Sequence, residues 1–248
     1  MKYRVVTGRE NPAVRDLQND LIMSAWPEFM MHDIYIAKYW WDILIRYPEY
    51  QYILLDDSSG KVLGLGNSFP LIWNDSLQDL PETGLDGAIK RCHDDIEQSI
   101  RPNFQCAFQI IVDKSLHGTR FSYEVVKAMI QIGRNMGLET LVAPVRPNQK
   151  SRYPLTPIEK YAAWIDENGN PFDGWMRVHT KLGAEIVKVC PESMLVEGSV
   201  ADWEKWTEMK FPESGRYVIP GALNPIKIDR ENDLGEYIEP NVWMAHRL

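Results

Sequence analysis

The sequence lacks the features that direct a chain to a membrane, a nucleic acid or a disulfide-stabilised fold. No apolar run reaches the ~20 residues of a membrane-spanning helix, and the N-terminal residues show no signal-peptide pattern. The net charge of −8 lacks the basic excess of nucleic-acid-binding proteins. The three cysteines are an odd number, scattered and without metal-site spacing. We therefore expect a cytoplasmic protein that binds no metal, membrane or nucleic acid.

Several catalytic motifs are missing as well. The chain has no Gly-x-Ser-x-Gly elbow, no cysteine and histidine pair with a family signature, and no P-loop lysine after Gly118. A Rossmann dinucleotide site would need a glycine where the chain has Arg120, together with an all-parallel sheet. These absences argue against serine and cysteine hydrolases, P-loop nucleotide binding and dinucleotide binding.

The most informative segment of the sequence spans residues 104–164. An apolar strand pattern at 104–112 leads through a turn containing Gly118 into an amphipathic helix at 123–136, and a second apolar strand follows at 140–143. A strand that feeds a glycine turn at a helix start exposes backbone N–H groups at the positive end of the helix dipole. The segment therefore predicts an anion site, and phosphate is the commonest anion at such sites.

The order of the predicted elements indicates the fold class. A strand, two helices and two hairpin strands come first, and helices then alternate with strands, including predicted helices at 87–100 and 174–181. This order predicts an α/β (α+β) protein with a mixed, mostly antiparallel central sheet flanked by helices, and not a doubly wound parallel sheet. No long polar linker divides the chain.

The same element order resembles the GNAT N-acetyltransferase superfamily from residue 3 to about residue 189. In that family a glycine-rich turn holds the pyrophosphate of acyl-CoA through its backbone amides. The matching residues here are His117, Gly118, Thr119, Arg120, Phe121 and Ser122. Arg120 stands where the family has a glycine, so it either fills the phosphate pocket or donates to the phosphate. Residues 143–155 and 237–246 resemble a bacterial GNAT-like subgroup with a long C-terminal extension.

This resemblance implies a function and a domain plan. It implies direct transfer of an acyl group from acetyl-CoA or another acyl-CoA to a small-molecule acceptor, most often to an amine. The main chain of Ile110, Ile111 and Val112 would pair with the pantetheine arm of the cofactor. Residues 1–190 would form the acyl-CoA-binding domain, and residues 191–248 would be an extension packed on it.

Three residues are candidates for the proton transfers. GNAT enzymes often place a tyrosine acid on the last helix, four residues before a glycine, and counting back from Gly183 gives His179. An ordinary histidine pKa of about 6.5 suits proton transfer near neutrality. The alternative is a structural helix histidine that hydrogen-bonds to neighbouring carbonyls. Glu159 could act as a general base if it is buried, and Tyr161 lies close to it in sequence.

A basic cluster follows the predicted strand at 140–143, at the end of a sheet where ligands gather in open α/β folds. The candidate substrate-binding residues there are Arg146, Lys150, Arg152 and Tyr153. Such a cluster can take a phosphate or a substrate carboxylate in bidentate fashion, or it can be a solvated charged loop.

Two other interpretations remain open at this point. The chain could be a GNAT-fold ligand-binding or regulatory module without catalysis if Arg120 fills the phosphate site. It could also be a homo-oligomeric interaction protein, such as a homodimer, in which Trp203, Trp206 and Trp243 pack against a partner chain.

Overall fold

The computed structural model describes residues 2–96 and 100–248. The strands are β1 (Tyr3–Thr7), β2 (Gln51–Asp56), β3 (Val62–Leu71), β4 (Phe104–Val112), β5 (Thr140–Val145), β6 (Glu185–Gly198), β7 (Gly215–Tyr217), β8 (Ile226–Asp229) and β9 (Leu234–Arg247). The α-helices are α1 (Val14–Leu17), α2 (Asn19–Ala25), α3 (Ile34–Arg46), α4 (Gly84–Asp94), α5 (Phe121–Asn135), α6 (Ile158–Ala162), α7 (Gly174–Lys181) and α8 (Val200–Thr207). The predicted helix at 87–100 corresponds to α4, and its residues 97–99 lie outside the described part. None of the helices within that part combines the length and apolar character that a membrane crossing requires.

The strands form one sheet with the order β1-β2-β3-β4-β5-β9-β8-β7, and β6 pairs with β9. Among the pairs in the described part of the chain, β4 with β5 is parallel and the others are antiparallel. The helices cover both faces of this sheet. The predicted fold class, a mixed and mostly antiparallel sheet flanked by helices, is therefore confirmed.

The C-terminal strand β9 corrects the predicted domain boundary at residue 190. That boundary falls inside β6, and β9 lies between β5 and β6, antiparallel to both. Helix α8 and strands β7 and β8 are the insertion that connects β6 to β9. Residues 191–248 therefore supply a central strand of the main sheet, and the two predicted parts share one hydrogen-bonded sheet.

Alternation along β9 places its side chains in two cores. Trp243 and Ala245 are buried with α3 and α4 on one face, and Val242 and Met244 are buried with α5 and α7 on the other.

The tryptophans of the C-terminal region pack inside their own chain. Trp203 and Trp243 are each 0% exposed, and Trp206 is half-buried with its ring centroid 5.2 Å from that of Trp203. The prediction that these rings pack against a partner chain is wrong for Trp203 and Trp243, because the chain's own core already covers them.

Two buried carboxyl groups hold the starts of α3 and α4 together against β6. Asp33 caps α3 by accepting from the amides of Tyr35 and Ile36, and Asp86 accepts from the Leu195 amide. The remaining oxygens, Asp33 Oδ2 and Asp86 Oδ1, have no hydrogen-bond partner among the described residues. A proton shared between the two carboxyl groups would satisfy both oxygens. Burial and the Asp33 charge raise the pKa of Asp86 to about 9, and burial raises that of Asp33 to about 6.

This pair predicts a pH-dependent stability. Because the folded-state pKa of Asp86 lies above its unfolded value, the folded state holds an extra proton, and its stability falls as pH rises from about 4 to about 9. Asp86→Asn keeps the acceptor for Leu195 and stays neutral. Its stability advantage over the wild type should grow by up to ~1.4 kcal/mol per pH unit in this window. Urea unfolding at pH 5, 6.5 and 8 measures this, with exposed Asp75→Asn as the control. If the free energies of unfolding of the wild type and of Asp86→Asn changed equally with pH, the shared proton would be ruled out.

Candidate functional site

A cavity of about 260 Å³ opens where β4 and β5 separate. The two strands pair only from Phe104 to Cys106 against Thr140 to Val142. Beyond that point, residues 107–110 of β4 line the cavity together with residues 143–145 of β5 and Arg146, which follows β5. The facing edge of β4 therefore presents backbone N–H and C=O groups that no neighbouring strand uses, and such an edge can pair with an extended ligand.

The candidate anion site is the turn that leads from the C-terminal end of β4 into α5. Gly118 has φ +81°, a left-handed conformation that glycine adopts without strain, and a side chain there would meet no atom within 4 Å. The Tyr123 amide donates to the Arg120 carbonyl. Within the described residues the amides of Gly118, Arg120, Phe121 and Ser122 have no acceptor. The turn therefore offers several donors at the positive end of a 15-residue helix.

Arg120 caps α5 and does not fill this turn. Its backbone has φ 66° and ψ 11°, so the arginine adopts the left-handed conformation that a glycine would take at this position. The side chain is exposed, and its guanidinium makes no hydrogen bond or ion pair with the described part of the chain. His117 lies in the same turn, with Nε2 3.1 Å from the Val112 carbonyl oxygen.

A chain of buried side-chain amides forms one wall of the cavity. The indole N–H of Trp26 donates to Gln109 Oε1 at 2.8 Å, and Gln109 Nε2 donates to Asn67 Oδ1 at 2.8 Å. Asn67 Nδ2 in turn donates to the side-chain oxygens of Gln18 and Gln51. Asn67 and Gln109 face each other across β3 and β4, so the sheet register places them together. This network fixes the Trp26 ring at the cavity wall.

Arg146 contributes a cation to the same wall. Its Nε and Nη2 donate to the two carboxylate oxygens of Glu239 at 2.7 and 3.0 Å, and Nη2 also donates to the Gly221 carbonyl at 2.7 Å. Glu239 is 0% exposed, whereas the Arg146 side chain is 22% exposed. Nη1 has no hydrogen-bond partner in the described part of the chain, and Arg146 lines the cavity.

His179 lies in the opposite wall and pairs with a second histidine. Asp173 caps α7 through the amides of Trp175 and Met176, and this helix carries His179 to the cavity. His179 Nδ1 lies 2.9 Å from His246 Nε2 on β9. Burial, then the neighbouring His246, lowers the pKa of His179 to about 3, and burial lowers the pKa of His246 to about 4. Both rings are therefore neutral at pH 7, which corrects the expectation of an ordinary histidine pKa.

The remaining wall of the cavity is apolar. It comes from α3, α4, β6 and the segment before α3. Its members include Met30, Ile36, Trp40, Leu44, Leu85 and Met194. Trp40 stacks on Phe108 of β4 with ring centroids 3.9 Å apart, so an aromatic pair closes the cavity on this side.

The structure brings only some of the predicted site residues to the cavity. Ile110, Arg146 and His179 line it. Residues 117–122 form the turn beyond β4, Ile111 is buried in the core behind that strand, and Val112 is half-buried at its end.

The other predicted residues lie away from the cavity, in the segment around α6. Lys150 is 0% exposed and donates to the carbonyls of Tyr153 and Leu223. The Tyr161 hydroxyl donates to Asp173, and burial raises its pKa. Arg152 is exposed and Tyr153 is 36% exposed. Glu159 is also exposed, so the burial that a general base there requires is absent.

Sequence reasoning missed several residues that line the cavity or support it. His246 is 67 positions from His179, and Glu239 is 93 positions from Arg146, so no local spacing links either pair. Asn67 and Gln109 did leave a signal, because each is a polar amide inside an otherwise apolar strand pattern.

Comparisons with known proteins agree with this architecture. No protein-family model matches the sequence. An arginine N-acetyltransferase, avaD of Aspergillus versicolor, is 28% identical over 251 residues, covering 91% of this chain and 86% of the relative. The loading GNATL domain of CurA from Lyngbya majuscula superposes with a TM-score of 0.63 at 18% identity, over 100% of this chain and 98% of that domain. The GphF GNAT-like decarboxylase in complex with isobutyryl-CoA gives a TM-score of 0.58 at 15% identity, over 100% of this chain and 99% of that one. The chain therefore has the GNAT fold, and it is similar in sequence to an N-acetyltransferase over most of its length.

Proposed function

We propose that the chain is an acyltransferase that moves an acyl group from acyl-CoA, such as acetyl-CoA, to the amino group of a small molecule. The separation of β4 from β5 carries this proposal. It leaves a free strand edge that ends at a helix N-terminus with unpaired amides. An extended pantetheine arm and a pyrophosphate are the two ligand groups that these features suit. The N-acetyltransferase name of the fungal relative supports the same reaction.

The residues of the turn and the strand would divide the binding of acyl-CoA between them. The backbone of residues 107–110 would pair with the amide groups of the pantetheine arm. The amides of Gly118, Arg120, Phe121 and Ser122 would donate to the pyrophosphate, with the Arg120 guanidinium as an additional donor. These contacts would place the thioester in the cavity between β4 and β5.

His179 would move the proton of the reaction. In the tautomer that donates Nδ1–H to His246, the Nε2 lone pair is free toward the cavity. His179 would accept the proton of the acceptor amine there as the new C–N bond forms at the thioester carbonyl. It would return that proton to the sulfur as the C–S bond breaks. Because burial lowers the pKa of His179 to about 3, the neutral ring is a weak base and the protonated ring a strong acid, so His179 would hold the proton only transiently between the amine nitrogen and the sulfur.

The alternative of a GNAT-fold module that has lost acyl-CoA binding loses its main support. That alternative depended on Arg120 occupying the phosphate turn, whereas the Arg120 side chain is exposed. We also propose a cytoplasmic location, which the three free, buried cysteines support.

Titration calorimetry with acetyl-CoA, followed by an assay of thiol release with a panel of amines, tests the proposed function. We expect saturable binding and amine-dependent release of CoA. Absence of binding at high micromolar acetyl-CoA would overturn the proposal.

Arg120→Gly tests how the turn binds the pyrophosphate. Glycine accepts the left-handed conformation without strain, so the fold should be retained and slightly stabilised. We expect acetyl-CoA affinity to fall about tenfold, because a charge-assisted hydrogen bond contributes about 1.5–3 kcal/mol. Calorimetry measures this, and exposed Arg9→Gly is the control. Tighter binding by Arg120→Gly would show instead that the arginine obstructs the site.

A further inference from the structure

We propose that the acceptor is an α-amino acid with an apolar side chain, and that Arg146 and Arg15 receive its carboxylate. This inference rests on the proposed acyl transfer and adds the chemical class of the acceptor. It follows from the division of the cavity into a cationic, amide-lined wall and an apolar wall.

Arg146 is oriented to receive an anion. Glu239 holds its Nε and Nη2 in bidentate fashion, and the guanidinium carbon lies 5.6 Å from the centroid of the Trp26 ring. These contacts fix the guanidinium plane and leave Nη1 without a partner in the described residues. A planar group held on one edge offers its free N–H groups without further loss of side-chain entropy.

The charge balance of the cavity wall also favours an anion. Arg15 of α1 lines the same cavity, and within the described part of the chain no aspartate or glutamate lines it. Glu239, behind Arg146, offsets one of the two arginine charges. Arg15 Nε lies 3.6 Å from the carboxylate of Asp16, but both side chains are exposed and Asp16 does not line the cavity. Water therefore screens this pair and leaves the Arg15 guanidinium available to a ligand anion. The side-chain amides of Asn67 and Gln109 are uncharged and already hydrogen-bond to one another and to Trp26. They therefore cannot balance the charge of a cationic acceptor side chain.

The opposite wall suits an apolar side chain. Ile36 and Trp40 of α3, Leu85 of α4 and Met194 of β6 present only carbon and sulfur surface or an aromatic ring there. A guanidinium or ammonium group placed against these residues would lose water without gaining a carboxylate partner, and this desolvation is unfavourable.

The buried carboxyl groups of this region do not change that conclusion. Asp33 accepts a hydrogen bond from an amide at the N-terminus of α3, and Asp86 accepts one from the Leu195 amide. A proton shared between the two carboxyl groups would satisfy their remaining oxygens. Neither lines the cavity. A cationic acceptor side chain would therefore have to break this pair to find a partner.

A matched series of acceptors tests the inference with the intact protein. L-Norleucine, L-norleucinamide and L-arginine share the α-amino group and differ in the carboxylate or in the end of the side chain. With acetyl-CoA as donor, we expect kcat/KM for norleucine to exceed that for each of the other two at least tenfold. Equal or higher values for arginine or for norleucinamide would overturn the inference while leaving acyl transfer intact. Failure of every amine in the presence of bound acetyl-CoA would instead overturn the proposed function.

Two variants separate carboxylate recognition from a structural effect. Arg15→Gln changes a half-exposed side chain, and Arg146→Met combined with Glu239→Gln removes both charges of the buried pair together. Each should lower kcat/KM for norleucine about tenfold more than kcat/KM for norleucinamide, since only norleucine carries the carboxylate. Equal losses for both amines would contradict a role in binding the carboxylate. Arg9→Gln, an exposed change outside the cavity, is the control.

Discussion

Replacing His179 with glutamine is expected to lower kcat about 10²-fold, at the lower end of the usual contribution of a positioned acid or base. Glutamine can keep a hydrogen bond to His246 but cannot accept and return a proton. Acetyl-CoA affinity should stay within about twofold of the wild type, because in the proposed complex the free edge of β4 and the turn before α5 would bind the cofactor without His179. Single-turnover acyl transfer, calorimetry and thermal unfolding together measure this. The control is His93→Gln, which alters a half-buried histidine outside the cavity and the turn before α5.

The pH dependence distinguishes this role from that of an ordinary histidine. Because burial lowers the pKa of His179 to about 3, the ring is already neutral throughout the range from pH 5 to pH 8. The pH profile of kcat/KM should therefore have no acid limb near pH 6.5 that depends on His179. The profiles of the wild type and of His179→Gln should have the same shape in this range. Unchanged kcat in His179→Gln, or a limb near 6.5 that the substitution removes, would contradict the proposed proton transfer.

Glu239→Gln should be the most destabilising single change near the cavity, at about 3 kcal/mol. Glu239 is 0% exposed and accepts from Arg146 and from the Tyr237 hydroxyl. Glutamine replaces one acceptor oxygen with an N–H group and leaves the Arg146 charge without its countercharge in a largely dry site. The melting temperature should fall by roughly 6–12 °C. Calorimetric unfolding measures the effect, and Glu236→Gln on the same strand is the control.

A double-mutant cycle shows whether the ion pair is the cause. Arg146→Met with Glu239→Gln leaves no unpaired charge, so the double variant should be less destabilised than the sum of its single changes. Additive losses would show that the two residues stabilise the fold through separate contacts. The same double variant can then be assayed with the series of acceptors, because its cavity lacks the Arg146 cation that we propose binds the carboxylate.

The anion turn shows which part of the site local sequence can predict. A strand pattern, Gly118 and an amphipathic helix are consecutive in the chain, and the backbone donors at a helix start follow from helix geometry alone. The choice of His179 came instead from the resemblance to GNAT enzymes, by counting four residues back from Gly183 at the end of the helix. Local sequence could not predict the histidine's protonation state, since its pKa depends on burial beneath β9 and on contact with His246.

The basic cluster shows where local reasoning ends. Arg146, Lys150 and Arg152 are close in sequence, yet Arg146 faces the cavity, Lys150 is 0% exposed and Arg152 is exposed. Arg146 and Lys150 are held in place by hydrogen bonds to two carbonyls and a carboxylate from residues 221–239, which are far away in sequence. A charge pattern alone does not contain this information.

The sequence by itself determined the alternating elements, the glycine turn and its helix, and hence the GNAT fold, because these depend on period, turn chemistry and helix ends along a continuous chain. Only the tertiary structure decided that β9 is inserted between β5 and β6, that His246 sets the charge of His179, and that Glu239 directs Arg146 into the cavity. The physical reason is that each of these contacts joins residues separated by about 40 positions or more. Their energies come from burial and from the exclusion of water, which arise only when the whole sheet closes.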